Sequence, residues 1–445
     1  MMLLKGRTVT IVGLGESGIA AADLCLGHGA RVICTDAAPA ERIAPEARAL
    51  GERGAQLFLG GHDRVPWSQT EIVVVSPGVP QLPVLQTLAA QGIEVIGEVE
   101  LASRLTTAPI VAVGGTNGKS TTTSLVAAML ATAQKNVFAG ANLGVPLSVA
   151  VGKAFEVLVL EVSSFQMERA PTFHPWIAAL LNVTEDHLDR YESFDAYAAA
   201  KGNMFVNQTA GDVAVAARED PISMREARRG GGRVVTFGFG AADVAIGGEK
   251  ITDRLRGVEY PLSDVRLRGS HNLLNVAAAI ACAAEAGATR EAISATLADF
   301  EGLAHRVTLV AEIGRVRYYD DSKGTNVGAA VAAMRGLSEP RVVLIAGGRD
   351  KLGAYGPLAD ELAKKGRAVV VIGEAANRIA GALQGVVETL RASSMDEAVR
   401  LASKAAKPGD AVLLSPACSS FDMFRDYEQR GDAFASAVKA LEERP

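Results

Sequence analysis

Short runs of β-branched and aliphatic residues recur along the chain. Each closes on a glycine-rich turn and is followed by a helical pattern. Residues 9–12, 32–35, 72–76, 110–113, 157–160, 342–346, 368–372 and 411–415 are such runs. They are apolar throughout rather than alternating with polar positions. That is the signature of strands buried on both faces, as in parallel sheets covered by helices. The pattern predicts an α/β fold in three blocks, residues 1–93, 94–298 and 299–445. Residues 93–105 read as a connector helix. Residues 218–250, polar and interrupted by Gly230, Gly231 and Gly232, read as loop or small antiparallel surface strands. Residues 301–305 read as a hinge. No internal repeat of solenoid period is present.

Composition agrees with this picture. The chain has 445 residues, and at about 150 residues per domain that makes three domains. Hydrophobic residues are 49% of the chain but aromatics only 5%, so the cores must be built from Ala, Val, Leu and Ile. There are 46 glycines, above the usual ~7%, which implies many turns and close backbone approaches. With 45 Lys+Arg against 50 Asp+Glu the net charge is −5. A nucleic-acid partner, which needs a basic face, is therefore not expected. Cys25, Cys34, Cys282 and Cys418 lie far apart, as in a reduced, cytoplasmic protein. Lys5 and Arg7 precede an apolar run that glycine soon interrupts, unlike a signal peptide. No apolar stretch reaches the ~20 residues of a membrane span.

The most specific chemistry lies at Gly114, Gly115, Thr116, Asn117, Gly118, Lys119, Ser120 and Thr121, between a strand and a helix. Such a loop turns backbone N–H groups toward phosphate oxygens, and the helix N-terminus adds positive potential. Lys119 would reach the β- and γ-phosphates of a nucleoside triphosphate, and the Ser120 hydroxyl would bind Mg²⁺. The loop is one residue shorter than the standard phosphate loop. An ordinary tight turn is the alternative, but the strand–loop–helix order favours a nucleotide. Glu161 ends a later apolar run, where a metal ligand belongs; a helix cap or solvated strand end is its alternative. His187 sits among Glu185, Asp186 and Asp189 just after another run, although a lone histidine is more often structural.

Near the N-terminus, Gly13, Gly15 and Gly18 have GxGxxG spacing, and Asp36 ends the second run. Ser76, Pro77 and Gly78 follow a third run beside them. Taken alone this suggests a dinucleotide site and an NAD(P)-dependent oxidoreductase. Similar turns also serve only to pack a helix on a strand. A nucleotide-binding regulator without catalytic activity is the non-enzymatic alternative.

The motifs GTNGKSTTT, LEVSSFQ, NVTEDHLDRY, AYAAAKGNMF, GSHNLLN, AHR, YDDSKGTN and LSPACSSFDMFRDYEQRGDAF occur in this order. The set resembles the Mur ligases of peptidoglycan synthesis over the whole chain. The central motifs are shared with folylpolyglutamate synthase. YDDSKGTN, the last segment and the short GLGESG-type first block point to the glutamate-adding branch. The DNPR tetrapeptide of diaminopimelate- or lysine-adding members is absent.

The resemblance implies a Rossmann-like N-terminal domain (1–93) for a UDP-substrate, a P-loop ATPase central domain (94–298) and a Rossmann-like C-terminal domain (299–445) for an amino acid. It implies ATP, two Mg²⁺ ions and a monomer that uses UDP-N-acetylmuramoyl-L-alanine and D-glutamate; L-glutamate is the alternative amino acid. Lys119 then contacts phosphate, Ser120 and Glu161 hold one Mg²⁺, and His187 supports the second and the UDP-substrate. Lys201 matches a lysine carbamylated by CO₂. Asn272, Asn275, Arg306 and Asp321 match adenosine and phosphate contacts. Lys323, Thr325, Lys351, Ser420 and Tyr427 match the glutamate pocket, where Tyr427 replaces a common Phe and Arg349 is an alternative to Lys351. Glu16, Ser17, Asp36, Ser76, Pro77, Gly78 and Asn142 match the UDP-substrate site, which displaces the dinucleotide reading.

Overall fold

The computed structural model describes residues 4–187, 190–267, 269–351 and 354–442. Asp189, one of the carboxylates flanking His187 in sequence, lies outside the described residues. Three sheets follow one another along the chain.

The first comprises β1 (Thr8–Val12), β2 (Arg31–Asp36), β3 (Gln56–Leu59), β4 (Ile72–Val75) and β5 (Glu94–Gly97), in the order β3-β2-β1-β4-β5. All its strands are parallel. The second comprises β6 (Ile110–Gly114), β7 (Val137–Ala141), β8 (Val157–Glu161), β9 (Ile177–Leu180), β10 (Val213–Ala217), β11 (Arg233–Phe239), β12 (Val244–Gly247), β13 (Lys250–Asp253) and β14 (Val258–Pro261). Its order is β14-β13-β12-β11-β10-β9-β6-β8-β7. Pairing is parallel from β7 to β12 and antiparallel only at β12–β13 and β13–β14. The third comprises β15 (Thr308–Ile313), β16 (Val316–Asp320), β17 (Val342–Gly347), β18 (Gly366–Ile372), β19 (Glu388–Arg391) and β20 (Ala411–Leu414), in the order β15-β16-β20-β17-β18-β19. Only its β15–β16 hairpin is antiparallel.

The continuous apolar runs are buried on both faces, as parallel sheets require. Every residue of β1, β4, β6, β8, β9, β10 and β17 is buried. In the third sheet successive side chains enter opposite cores. Leu344, Ala346, Val369 and Leu413 pack on one face, and Val343, Ile345, Val370 and Val412 on the other.

Two local expectations change. Residues 94–97 extend the first sheet as β5 rather than beginning a helix, because Val95 and Ile96 pair with Val73 and Val74. The helix Glu98–Ser103 starts only after them. Residues 218–250 are mostly not surface loop: they form the helix Pro221–Glu226, β11 and β12. The flanking arginines and glycines disguise β11, whose Val235, Thr236, Phe237 and Gly238 are buried.

The chain divides into two compact units. One holds Met1–Val183, Ala198–Asp264 and Leu274–Ala298, and with them the first two sheets. The other holds Thr184–Tyr197, Val265–Leu273 and Asp299–Pro445, and with them the third sheet. Among the described residues, no helix is long and apolar enough to cross a membrane.

Candidate functional site

In the first unit, β6 ends at Gly114 and the helix Lys119–Thr132 begins five residues later. The loop between them is tied down by Asn182, just beyond β9. The Asn182 carbonyl accepts from Thr116 N at 2.9 Å. Its side chain accepts from Asn117 N at 2.9 Å and donates to Asn117 O at 3.0 Å. Gly118 adopts φ +86°, and a Cβ there would lie 2.2 Å from Asn275 Oδ1. Glycine at 118 thus satisfies both a left-handed backbone and a close approach by Asn275.

Two ammonium groups converge on one loop carbonyl. Lys119 Nζ donates to Gly115 O at 3.1 Å and to Thr116 O at 3.0 Å. Lys201 Nζ donates to Gly115 O at 2.7 Å. Lys201, on the helix Phe194–Gly202, is only 4% exposed. A solvated helix lysine is therefore not what the fold contains. Ser120 and Thr121 are buried in the first turn of the following helix. Two cations beside a helix N-terminus make this loop suited to an anion.

Glu161 is the last residue of β8, in register with Val113 beside the phosphate loop. It is buried. Asn142 Nδ2 donates to Glu161 Oε1 at 2.6 Å, while Glu161 Oε2 is buried without a hydrogen-bond partner. A buried carboxylate oxygen left unpaired is costly, and a divalent cation would satisfy it. Among the described residues no group of three or more His, Cys, Asp or Glu side chains forms a metal cage. A single buried carboxylate oxygen beside a phosphate loop fits Mg²⁺, which takes one or two carboxylates and completes its shell with phosphate oxygens and water.

The N-terminal turn is built by packing. A Cβ on Gly18 would come within 1.8 Å of Gly13 O, so the helix Glu16–Gly27 sits directly on the turn. Ser76 Oγ donates to Gly13 O at 2.7 Å. Asp36 accepts from Leu14 N at 2.7 Å and from Ala38 N at 2.8 Å. Asp36 thus braces the glycine turn through Oδ2, while Oδ1 holds its own backbone two residues on. Glu16, Gly78 and Asn142 are exposed, and Ser17 and Pro77 are half-buried.

In the second unit, Asp321 follows β16 and is buried; Ser415 Oγ donates to its Oδ2 at 2.6 Å. Burial pushes its carboxyl up to about 7, against the pull of Arg306 and of hydrogen bonds. Lys323 Nζ lies 3.6 Å from the centre of the Tyr427 ring, a cation–π contact. His305 stands edge-on to the same ring at 6.2 Å, and its Nδ1 bonds Asp320 Oδ2 at 2.6 Å. Thr325 N donates to Lys323 O at 2.9 Å, and Ser420 is buried. Lys351 Nζ lies 3.4 Å from Asp186 Oδ1, and Asn326 Nδ2 donates to Asp186 Oδ2 at 3.1 Å. His187, with φ +54°, donates its backbone N–H to Asp186 Oδ1 at 2.9 Å. Asn272 and Arg306 are half-buried. Arg349 pairs through its backbone with Ser419.

The expected residues therefore fall into two groups. Gly114–Thr121, Glu161, Lys201, Asn142 and Asn275 gather in the first unit. Arg306, Asp321, Lys323, Thr325, Lys351, Ser420 and Tyr427 belong to the second, together with His187 and Asn272.

Sequence reasoning overlooked several supports. Asn182 holds the phosphate loop, and Asp186 receives Lys351 and Asn326. Arg430 is buried and donates to Ser322 Oγ at 3.0 Å, Ser322 O at 2.8 Å and Cys418 O at 3.1 Å. Burial pulls its guanidinium down to about 10. The only sequence signal for these residues was their place inside the quoted motifs.

Three family models match in chain order. They are the Mur ligase MurD-like N-terminal domain at residues 7–97, the Mur ligase middle domain at 113–283 and the Mur ligase glutamate ligase domain at 305–418. The UDP-N-acetylmuramoylalanine–D-glutamate ligase of Trichlorobacter lovleyi is 42% identical over 99% of this chain and 100% of its own length. The protein of the same name from Desulfosudis oleivorans is 44% identical over 99% and 97%. The solved UDP-N-acetylmuramate–alanine ligase of Thermotoga maritima superposes with a TM-score of 0.62 at 19% identity, covering 98% of this chain and 99% of its own. That last likeness speaks to fold alone. Three α/β domains carrying these models in order, and full-length relatives at more than 40% identity, establish that the chain belongs to the Mur ligase family.

Proposed function

We propose that this chain joins D-glutamate to UDP-N-acetylmuramoyl-L-alanine with ATP, releasing ADP and phosphate. The observation that carries the reading is the phosphate loop flanked by Lys119 and Lys201, with the unpaired Glu161 Oε2 beside it. Relatives bearing the ligase name at 42% and 44% identity support the choice of substrates. In this reading the first domain takes the UDP-substrate, the central domain ATP and the third the amino acid.

A carboxylate is not attacked by an amine until one of its oxygens becomes a leaving group. A carboxylate oxygen of the alanyl end therefore attacks the γ-phosphorus, the bond to the β-phosphate breaks, and ADP leaves. The neutral amine of D-glutamate then attacks the acyl carbon. The tetrahedral species collapses with the C–O electron pair departing on phosphate, and the amine releases a proton. Bound Mg²⁺ would neutralise the charge that builds on the transferring phosphoryl group.

The chain's own residues do the rest. Backbone N–H groups of the loop and Lys119 hold phosphates, with Asn272, Asn275, Arg306 and Asp321 on the rest of the nucleotide. Ser120, Glu161 and His187 are the metal-side donors. Lys201 acts as its carbamate, which keeps one N–H for Gly115 O and presents a carboxylate toward metal and substrate. Lys323, Thr325, Lys351, Ser420 and Tyr427 receive the two carboxylates of glutamate, for which cations and hydroxyls are suited. Glu16, Ser17, Asp36, Ser76, Pro77, Gly78 and Asn142 serve the UDP-substrate.

The test is ADP release with UDP-N-acetylmuramoyl-L-alanine against a panel of D- and L-amino acids. Stimulation by D-glutamate alone is expected; stimulation by L-glutamate instead would replace the substrate reading. An oxidoreductase, suggested by the first glycines alone, leaves Lys119, Glu161 and Lys201 without a role. It predicts a nicotinamide fluorescence titration that we expect to be flat.

A further inference from the structure

A second concentration of positive charge lies in the first unit, away from the phosphate loop. A cavity of about 640 Å³ is lined by Arg218, Pro221, Met224, Arg225 and Arg228. It is a basin that opens widely to solvent. Three guanidinium groups share it in a chain whose net charge is −5.

The nearby carboxylates do not neutralise all three. Glu226 is buried and divided between Arg225 and Arg229, each at 2.9 Å. Asp220 Oδ1 is occupied by Ile222 N and Ser223 N, both at 3.0 Å. The Glu219 carboxylate lies over Gly238. Arg218 and Arg228 are exposed, and their guanidinium groups take no ion pair or side-chain hydrogen bond among the described residues. Converging like charges without counter-charge are unfavourable until an anion enters. Arginine forks match phosphate geometry two bonds at a time. Pro221 and Met224 supply an apolar wall beside them.

We propose that this cavity binds a small phosphorylated molecule. Its phosphates lie on Arg218 and Arg228, and its apolar or planar part lies on Met224 and Pro221. The amides of the helix Pro221–Glu226 are already capped by Asp220, so recognition falls to the guanidinium groups. Arg218 directly follows β10, which β9 separates from β6 and its loop. At about 4.8 Å per strand, the two sites start roughly 10 Å apart along one sheet edge. The proposal goes beyond the ligase reading and does not rest on it.

The probe is inorganic tripolyphosphate, titrated calorimetrically into the full chain carrying Lys119→Ala, which removes the loop's own phosphate lysine. One binding event is expected there. Adding Arg218→Ser with Arg228→Ser should weaken it at least about tenfold, about the loss of one good charge-assisted contact. Arg218→Lys with Arg228→Lys should retain part of the affinity and controls for folding. No binding in the Lys119→Ala chain, or equal binding with and without the serine pair, overturns the proposal. Equal or tighter binding of a glutamate oligopeptide than of tripolyphosphate also overturns it, in favour of an acidic protein segment.

Discussion

Asn142 donates its side-chain amide to Glu161 Oε1 at 2.6 Å and leaves Glu161 Oε2 buried and unpaired. One oxygen is held so that the other points in a fixed direction. This is how an outer partner orients a metal-binding carboxylate. Glu161→Gln should therefore lower turnover by about a hundredfold or more. Asn142→Ala should raise the Mg²⁺ concentration for half-maximal rate by about tenfold. A Mg²⁺ titration of phosphate release checks both; an unchanged Mg²⁺ requirement in the Asn142 variant would remove its orienting role.

Lys201 and Lys119 share the Gly115 carbonyl but have different proposed tasks. Lys119→Ala should abolish ATP-dependent phosphate release. Lys201→Ala should cripple turnover yet recover in part when a small carboxylic acid is added, because the acid would stand in for the proposed carbamate. Full activity of the Lys201 variant without rescue would sink the carbamate assignment.

Gly118→Ala meets two separate costs. The left-handed backbone costs a Cβ-bearing residue about 1–2 kcal/mol, and the new methyl collides with Asn275 Oδ1. Adding Asn275→Ala should relieve the collision but not the backbone strain. Urea midpoints of the single and double variants separate the two parts. Equal stability of Gly118→Ala and the parent would refute both.

Asp321 gives the protein a pH dependence of defined sign. Its carboxyl is raised from 3.8 to about 7 in the folded chain. Between those values the folded state keeps a proton that the unfolded state has released. The stability tied to that proton is complete below pH 3.8 and lost as pH rises through about 7. Asp321→Asn should therefore gain on the parent across that window, as read by urea midpoints from pH 4 to 8. A difference independent of pH would show that Asp321 is ionised throughout.

Tyr427 carries Lys323 on its ring face, and its hydroxyl donates to the exposed Glu428 at 2.8 Å. Tyr427→Phe preserves the face and should leave the KM for glutamate within about twofold, whereas Tyr427→Ala should raise it by about fivefold, from a contact of about 1 kcal/mol. Steady-state kinetics on glutamate distinguish a ring contact from a hydroxyl contact.

The parallel sheets, the strand–loop–helix around Lys119 and the carboxylate closing β8 were legible because each depends on neighbours in sequence. Apolar runs reveal burial on two faces, and loop glycines reveal backbone direction. Residues 94–97 and β11 were misread for the converse reason. Glu94 and the arginines and glycines around β11 look polar locally, and only pairing with β4 and β10 makes strands of them. The supporting residues were hidden in the same way. Asn182 bonds Asn117 across 65 positions, and Arg430 bonds Ser322 across 108.

Sequence alone determined the fold class, the order of the blocks and the strand–loop–helix around Lys119, since these follow from local periodicity, turn stereochemistry and residue type. Tertiary structure decided that Lys201 is buried against Gly115 O, that one oxygen of Glu161 is satisfied and the other is not, and that Asp321 holds a proton near neutrality. Each of these depends on which distant groups exclude water from a charge and which offer it a partner. Burial and partnership of that kind leave no period or spacing in a single chain.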